Sequence, residues 1–102
     1  MSFPKRLSPK QPYEEYFVRL GFSRDLGAET IGSVTVSVSP ENTTEDVTSV
    51  LIDADKTSTS GTDVYVWLRG GVDGVTYKGT LRVVGDQGSK YEREFLMEVS
   101  NT

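Results

Sequence analysis

The stretch TIGSVTVSVS, residues 30–39, decides the fold class of this 102-residue chain. Its valines, Val34, Val36 and Val38, alternate with serine and threonine. A period of two places one face of a β-strand against a core and leaves the other in water. Pro40 follows at once. Because proline donates no hydrogen bond to a ladder, we expect the strand to end there.

The same period recurs along most of the chain. Candidate strands are residues 47–54, 63–69, 75–84 and 91–99, with residues 56–61 as a loop or weak edge strand. Residues 13–22 are a strand or a short helix, and their β-branched and aromatic content favours the strand. Residues 70–74 and 86–88 are glycine-containing turns, and residues 23–27 form a turn or one helical turn. The pattern predicts an all-β fold, an immunoglobulin-like antiparallel β-sandwich of about seven strands.

Proline and charge divide the chain into two parts. Residues 1–12 hold three of the four prolines, and residues 1–10 carry three basic side chains and no acidic one. We expect residues 1–12 to form a flexible, basic, proline-containing N-terminal arm and residues 13–102 to form the sandwich domain.

The composition excludes most catalytic chemistry. Cysteine and histidine are both absent, which removes disulfides, thiolate zinc sites and the usual Ser-His and Cys-His nucleophile pairs. We therefore expect no enzyme, no catalytic residues, no cofactor and no metal. One alternative stays open, a calcium-stiffened spacer in which Asp53 and Asp55, with Asp63 or Asp73, supply oxygen ligands.

Charge and hydropathy limit the partners. The 92 residues after Lys10 hold 8 basic and 15 acidic side chains, a net charge of −7 that repels a phosphate backbone. No apolar run approaches the ~20 residues that a membrane span needs. We expect no nucleic acid, no membrane and no small-molecule substrate among the partners.

Two aromatic residues carry structural hypotheses. Tyr77 comes directly after a turn, at the start of the penultimate strand, which resembles a tyrosine corner. Trp67 is either a core tryptophan or an outer-surface residue. If it is on the surface, Tyr65, Trp67 and Arg69 form a stripe with the composition of binding hot spots, which we take as the possible interaction site.

Several short motifs occur in a familiar order. They are Lys10-x-Pro12-x-Glu14, Phe22-Ser23-Arg24-Asp25-Leu26, Glu29-Thr30-Ile31-x-Ser33, Val66-Trp67-Leu68-Arg69-Gly70-Gly71-x-x-Gly74-x-x-Tyr77 and Arg93-x-Phe95-x-Met97-x-Val99. From Lys10 to Val99 the chain resembles the phage fiber-tail adaptors, small immunoglobulin-like proteins encoded among the structural genes of tailed phages and prophages. The resemblance implies a structural or accessory role in the virion without catalysis.

The sequence thus leads to a hypothesis and an alternative. We expect a non-enzymatic phage or prophage virion protein, assembled in the host cytoplasm, that binds other virion proteins. Copies of itself, in a homo-oligomer, are a further candidate partner. Residues 30–39 suit β-augmentation if they lie at a sheet edge. The alternative is a carbohydrate- or cell-surface-binding β-sandwich module that uses the stripe.

Overall fold

Apolar side chains from five of the seven strands meet between two β-sheets. The structure, a computed structural model, describes residues 5–101. The sheets have the strand orders β1-β7-β6-β3 and β2-β5-β4. The elements are β1 (Lys5–Arg6), β2 (Tyr16–Gly21), α1 (Ser23–Leu26), β3 (Ile31–Pro40), α2 (Thr48–Leu51), β4 (Ser58–Ser60), β5 (Asp63–Leu68), β6 (Thr76–Gly85) and β7 (Lys90–Glu98). The predicted all-β sandwich is confirmed.

The topology is of the immunoglobulin type. Lettered A to G in chain order, the strands form the sheets A-G-F-C and B-E-D. This arrangement differs from the constant-type domain in that strand A pairs with G instead of B. The pairs between the other named strands are antiparallel, and β1 runs parallel to β7. The chain enters alongside β7 and follows it as far as Lys10, whose backbone N–H donates to Glu98 O at 2.9 Å.

The core comes from the inward faces that the alternation predicts. On β5, Val64, Val66 and Leu68 have no exposed surface, while the residues between them are half-buried. The facing sheet contributes apolar side chains from β3, β6 and β7, namely Val38, Tyr77, Leu81, Val83, Phe95 and Met97. Burying these side chains from both sheets is the main source of stability in such a sandwich.

The turn before β6 has the predicted tyrosine corner. The hydroxyl of Tyr77 accepts a hydrogen bond from the backbone N–H of Val72, five residues upstream, at 3.0 Å. Gly70, Gly71 and Gly74 all have positive φ, which a side chain would disfavour. The corner bond therefore fixes a glycine-rich loop against the first residues of β6.

The prediction of a strand over residues 47–54 was wrong. Residues 48–51 form the one-turn helix α2, and only Ile52 makes a bridge, to Leu68. Local hydrogen bonds explain the difference: the Asp46 carboxylate accepts from the backbone N–H and the hydroxyl of Thr48. Such short-range bonds compete with ladder formation. Within α2 only Leu51 is buried, whereas Val50 is 57% exposed.

The first described residues, from Lys5 onward, lie along β7. Residues 1–4 of the expected arm are outside the described residues; Lys5 and Arg6 form β1, and Lys10 has no exposed surface. The Lys10 ammonium donates to Gly70 O at 2.6 Å and to Gln11 O at 2.8 Å. Within residues 5–101, no helix has the length and hydropathy to cross a membrane.

Candidate functional site

An aromatic cluster covers the outer face of the smaller sheet. β2 and β5 are antiparallel, and their register places Phe17 opposite Trp67 and Arg19 opposite Tyr65. Phe17 is 52% exposed, and its ring is edge-on to both neighbours, with centroid distances of 4.7 Å to Trp67 and 6.3 Å to Tyr65. We call Phe17, Tyr65 and Trp67 the aromatic face.

Charged side chains surround the Trp67 indole. The Lys56 ammonium lies 4.5 Å from the ring centroid, a cation–π arrangement. The indole N–H donates to the Glu15 carboxylate at 3.3 Å. Trp67 is therefore an outer-surface residue, not a core one, and its polar atom and one ring face already have partners.

Arg69, the third residue of the predicted stripe, points away from the aromatic rings. Its guanidinium donates to the Asp53 carboxylate at 3.3 Å and to Ser49 O at 2.7 Å. The structure thus brings Tyr65 and Trp67 together on one surface and adds Phe17. Arg69 instead forms part of a neighbouring groove.

The outer face of the larger sheet has a different character. Lys78 on β6 pairs with Glu94 on β7 at 3.1 Å, and Arg82 pairs with Glu92 at 2.7 Å. These cross-strand pairs leave a polar, charge-balanced surface. The two outer faces of the sandwich are therefore chemically distinct.

A groove of about 640 Å³ separates the edge of β3 from residues 52–57. Val34, Val36 and Ile52 supply its apolar lining. Its polar lining holds three acidic side chains and one basic one, Asp46, Asp53, Asp55 and Arg69. We call this the edge groove; its net formal charge is −2.

The middle of β3 is an open strand edge. Val38 directs its backbone away from β6, since its N–H donates to the Thr48 hydroxyl and its C=O accepts from the Val47 N–H. Along an antiparallel strand the N–H and C=O groups of successive residues point alternately toward and away from the paired strand. The N–H and C=O groups of Val34 and Val36 therefore also point away from β6. Among residues 5–101 no group bonds them on that side.

Three of the four acidic residues considered for calcium are engaged in other interactions. Asp53 pairs with Arg69, and Asp63 pairs with Arg19 at 3.3 Å. Asp73 accepts from the Asn101 backbone N–H. Within the described part of the chain, no three carboxylates come close enough to hold a metal ion.

Sequence reasoning missed Phe17 and the groove for different reasons. Phe17 shares an alternation face with Arg19, but only the β2–β5 register puts its ring beside Trp67. A register of this kind depends on tertiary pairing. The groove forms because residues 48–51 fold into the short helix α2 and leave part of β3 uncovered. The prediction of a strand over residues 47–54 gave no sign of this groove.

Comparison with known protein families identifies the family of this chain. A sequence profile described as Podophage GP4 fiber-tail adaptor protein gp77 matches residues 10–98. No curated protein matches the chain. The matched region begins at the buried Lys10 and includes β2 to β7, the aromatic face and the edge groove. The chain therefore belongs to this family of podophage fiber-tail adaptors, and its role is that of a structural, tail-associated component of the virion.

Proposed function

We propose that this chain is a non-enzymatic adaptor, assembled in the host cytoplasm, that joins other virion proteins by surface contact. We further propose that the aromatic face is one of its docking surfaces. The observation that carries this proposal is the contrast between the two outer faces. One presents Phe17, Tyr65 and Trp67, and the other presents paired charges.

The composition of the aromatic face favours a protein partner. Tryptophan and tyrosine are enriched among the residues that contribute most to protein–protein binding, where they insert into pockets of the partner. Phe17 protrudes at the centre with half its surface exposed. The Arg19–Asp63 ion pair lies beside it, which supplies the polar rim typical of such interfaces.

The ring geometry is less suited to the alternative, carbohydrate binding. A sugar ring stacks on a flat, open aromatic face. Here Lys56 lies over the Trp67 ring, and Phe17 meets it at an interplanar angle of 86°. The cluster is an uneven apolar projection, which matches a protein pocket better than a sugar.

The experiment is reconstitution of tails that lack this gene product with purified protein. Phe17→Ser removes the most exposed ring of the aromatic face without touching the core, so we expect binding to fall at least about tenfold, as for a hot-spot residue. Val72→Ser is the matched control, because Val72 is an exposed apolar residue, 62% exposed, in a turn away from the aromatic face. It should bind as the wild type does.

Two results would count against the proposal. Unchanged tail binding by both Phe17→Ser and Trp67→Ala, with wild-type unfolding temperatures, would remove the aromatic face as a docking surface. Binding to a glycan array that Trp67→Ala abolishes, with tail binding intact, would establish the carbohydrate-binding alternative.

A further inference from the structure

We propose that the edge groove accepts an extended segment of a partner protein, which pairs with the open middle of β3 and carries basic side chains. The segment extends the larger sheet by one strand beyond β3. The inference rests on the proposed adaptor role for the nature of the partner. It concerns a second surface, distinct from the aromatic face.

The unpaired backbone of β3 supplies the recognition. The N–H and C=O groups of Val34 and Val36 point into the groove, because those of Val38 point the same way and the ladder alternates. An added strand forms main-chain hydrogen bonds with such an edge whatever its exact sequence. Proteins usually block exposed edges with charged side chains. β3 contains no charged residue.

The open edge is short and has defined ends. At one end the Ile31 N–H donates to Gly61 O at 2.9 Å, which joins β3 to the other sheet. At the other end the C=O of Val38 accepts from the Val47 N–H, and its N–H donates to the Thr48 hydroxyl. The edge between them is roughly 20 Å long at the rise of a β-strand, which suits a peptide of about five residues.

The lining of the groove determines which side chains fit. Val34, Val36 and Ile52 offer an apolar surface to the inward side chains of an added strand. Asp53 is already paired with Arg69, whereas Asp46 and Asp55 form no ion pair among the described residues. Their two negative charges at the groove favour lysine or arginine on the incoming segment.

A second copy of this chain fits the groove poorly. Its own β3 is ten residues long and its ends are covered, so two such edges cannot pair over their full length. A second groove would also bring a second net charge of −2. Both arguments favour an extended, basic segment from a different protein.

The first test uses the protein alone and two proline variants. Amide hydrogens of Val34 and Val36 should exchange faster than those of Thr35 and Ser37, which face β6. Val36→Pro removes an outward N–H and no ladder hydrogen bond, and Val36 is only partly buried, so the fold should persist. Thr35→Pro, the matched control, removes a ladder hydrogen bond and should unfold at a clearly lower temperature. Slow exchange at Val34 and Val36 would show that the edge is not open.

The second test uses the capped peptides KVTVK and EVTVE as probes. KVTVK should slow amide exchange at Val34 and Val36 and should bind at least tenfold more tightly than EVTVE. Val36→Pro should weaken KVTVK binding at least tenfold. Asp55→Lys, at an exposed position that leaves the fold intact, should weaken it severalfold. Phe17→Ser should bind the peptide as the wild type does.

Three outcomes would overturn the inference: no protection of Val34 and Val36 at millimolar KVTVK, protection confined to the aromatic face, or concentration-dependent dimerisation through β3 without peptide. Loss of tail binding in Phe17→Ser alone tests the aromatic face. Failure of one proposal is thus distinguishable from failure of the other.

Discussion

The hydroxyl of Tyr77 is a single polar atom that holds the loop before β6. It accepts the Val72 N–H at 3.0 Å, and the Tyr77 side chain is only 4% exposed. Tyr77→Phe leaves that N–H without its partner, so we expect the free energy of unfolding to fall by about 1–2 kcal/mol. Denaturant unfolding measures the change.

A matched tyrosine serves as the control for this measurement. Tyr65 lies on the aromatic face, and its hydroxyl makes no hydrogen bond within residues 5–101. Tyr65→Phe should leave stability nearly unchanged. Equal effects of Tyr65→Phe and Tyr77→Phe would show that the corner bond contributes nothing to stability.

Lys10 is a buried charge held by carbonyl groups. Its burial lowers the pKa of the ammonium from the usual 10.5, although Glu14 and Glu15 oppose the change. Lys10→Met leaves the carbonyls of Gly70 and Gln11 without this donor. We expect it to cost about 1–3 kcal/mol at neutral pH, the range for unsatisfied buried groups.

The lowered pKa of Lys10 also gives this residue a pH signature. Between the lowered pKa and 10.5 the unfolded chain binds more protons than the folded one, so this group makes stability rise with pH. Burial raises the pKa of Tyr16 above 10.0, which has the opposite effect in both proteins and cancels in their difference. The stability of the wild type relative to Lys10→Met should therefore increase through this window in unfolding experiments. A decrease would mean that the carbonyl contacts outweigh burial.

At the scale of elements, the hydroxyl of Thr48 connects α2 to β3. The Thr48 hydroxyl donates to the Asp46 carboxylate and accepts the Val38 N–H, which ties α2 to β3. Thr48→Val keeps the shape and removes both bonds, so we expect a loss of about 1–2 kcal/mol from the orphaned Val38 N–H. Thermal unfolding measures it, with the exposed Ser49→Ala as the control.

The same variant should change the titration of Asp46. Hydrogen bonds from the side chain and backbone of Thr48 lower the pKa of this carboxyl below 3.8. The folded state therefore gains stability from Asp46 above that value and loses it as pH falls through the lowered pKa. In Thr48→Val the pKa should move back toward 3.8 in a carboxyl NMR titration. No movement would show that the hydroxyl is not the cause.

Sequence patterns predicted the elements that bury one regular face. A period of two is seen at Val34, Val36 and Val38 on β3 and along β5. Residues at this spacing share one face of a strand, whereas a helix would place them on different sides. The pattern failed at residues 47–54, where Val50 and Ile52 suggested a strand but the bonds of Asp46 and Thr48 formed a helical turn instead.

The candidate site was predictable only in part. Tyr65 and Trp67 alternate with buried residues of β5, so their common face follows from sequence. The direction of the Arg69 guanidinium depends on Asp53 and Ser49, and the exposure of Phe17 beside Trp67 depends on strand register. Both are tertiary features that no local pattern encodes.

At the scale of the whole molecule, the two sheets are joined at both ends of β7. Near its start, Arg93 donates to Asp25 and to Gly21 O, and its guanidinium lies 4.8 Å from the centroid of the Phe22 ring. Beyond its end, Lys10 bridges Val99 and binds Gly70 O. These connections hold the aromatic face and the edge groove in a fixed relation, as a rigid adaptor requires.

Two surfaces on one rigid body predict separable defects. If the aromatic face and the edge groove bind different proteins, Phe17→Ser should weaken only the first contact and Val36→Pro only the second. Because the residues lie on different sheets and share no contact, the double variant should weaken each contact by the same factor as the corresponding single variant. Binding of each partner separately, by calorimetry, measures the cycle. Weakening of both contacts by each single variant would instead indicate one continuous interface, with Arg69 and Lys56 as its shared rim.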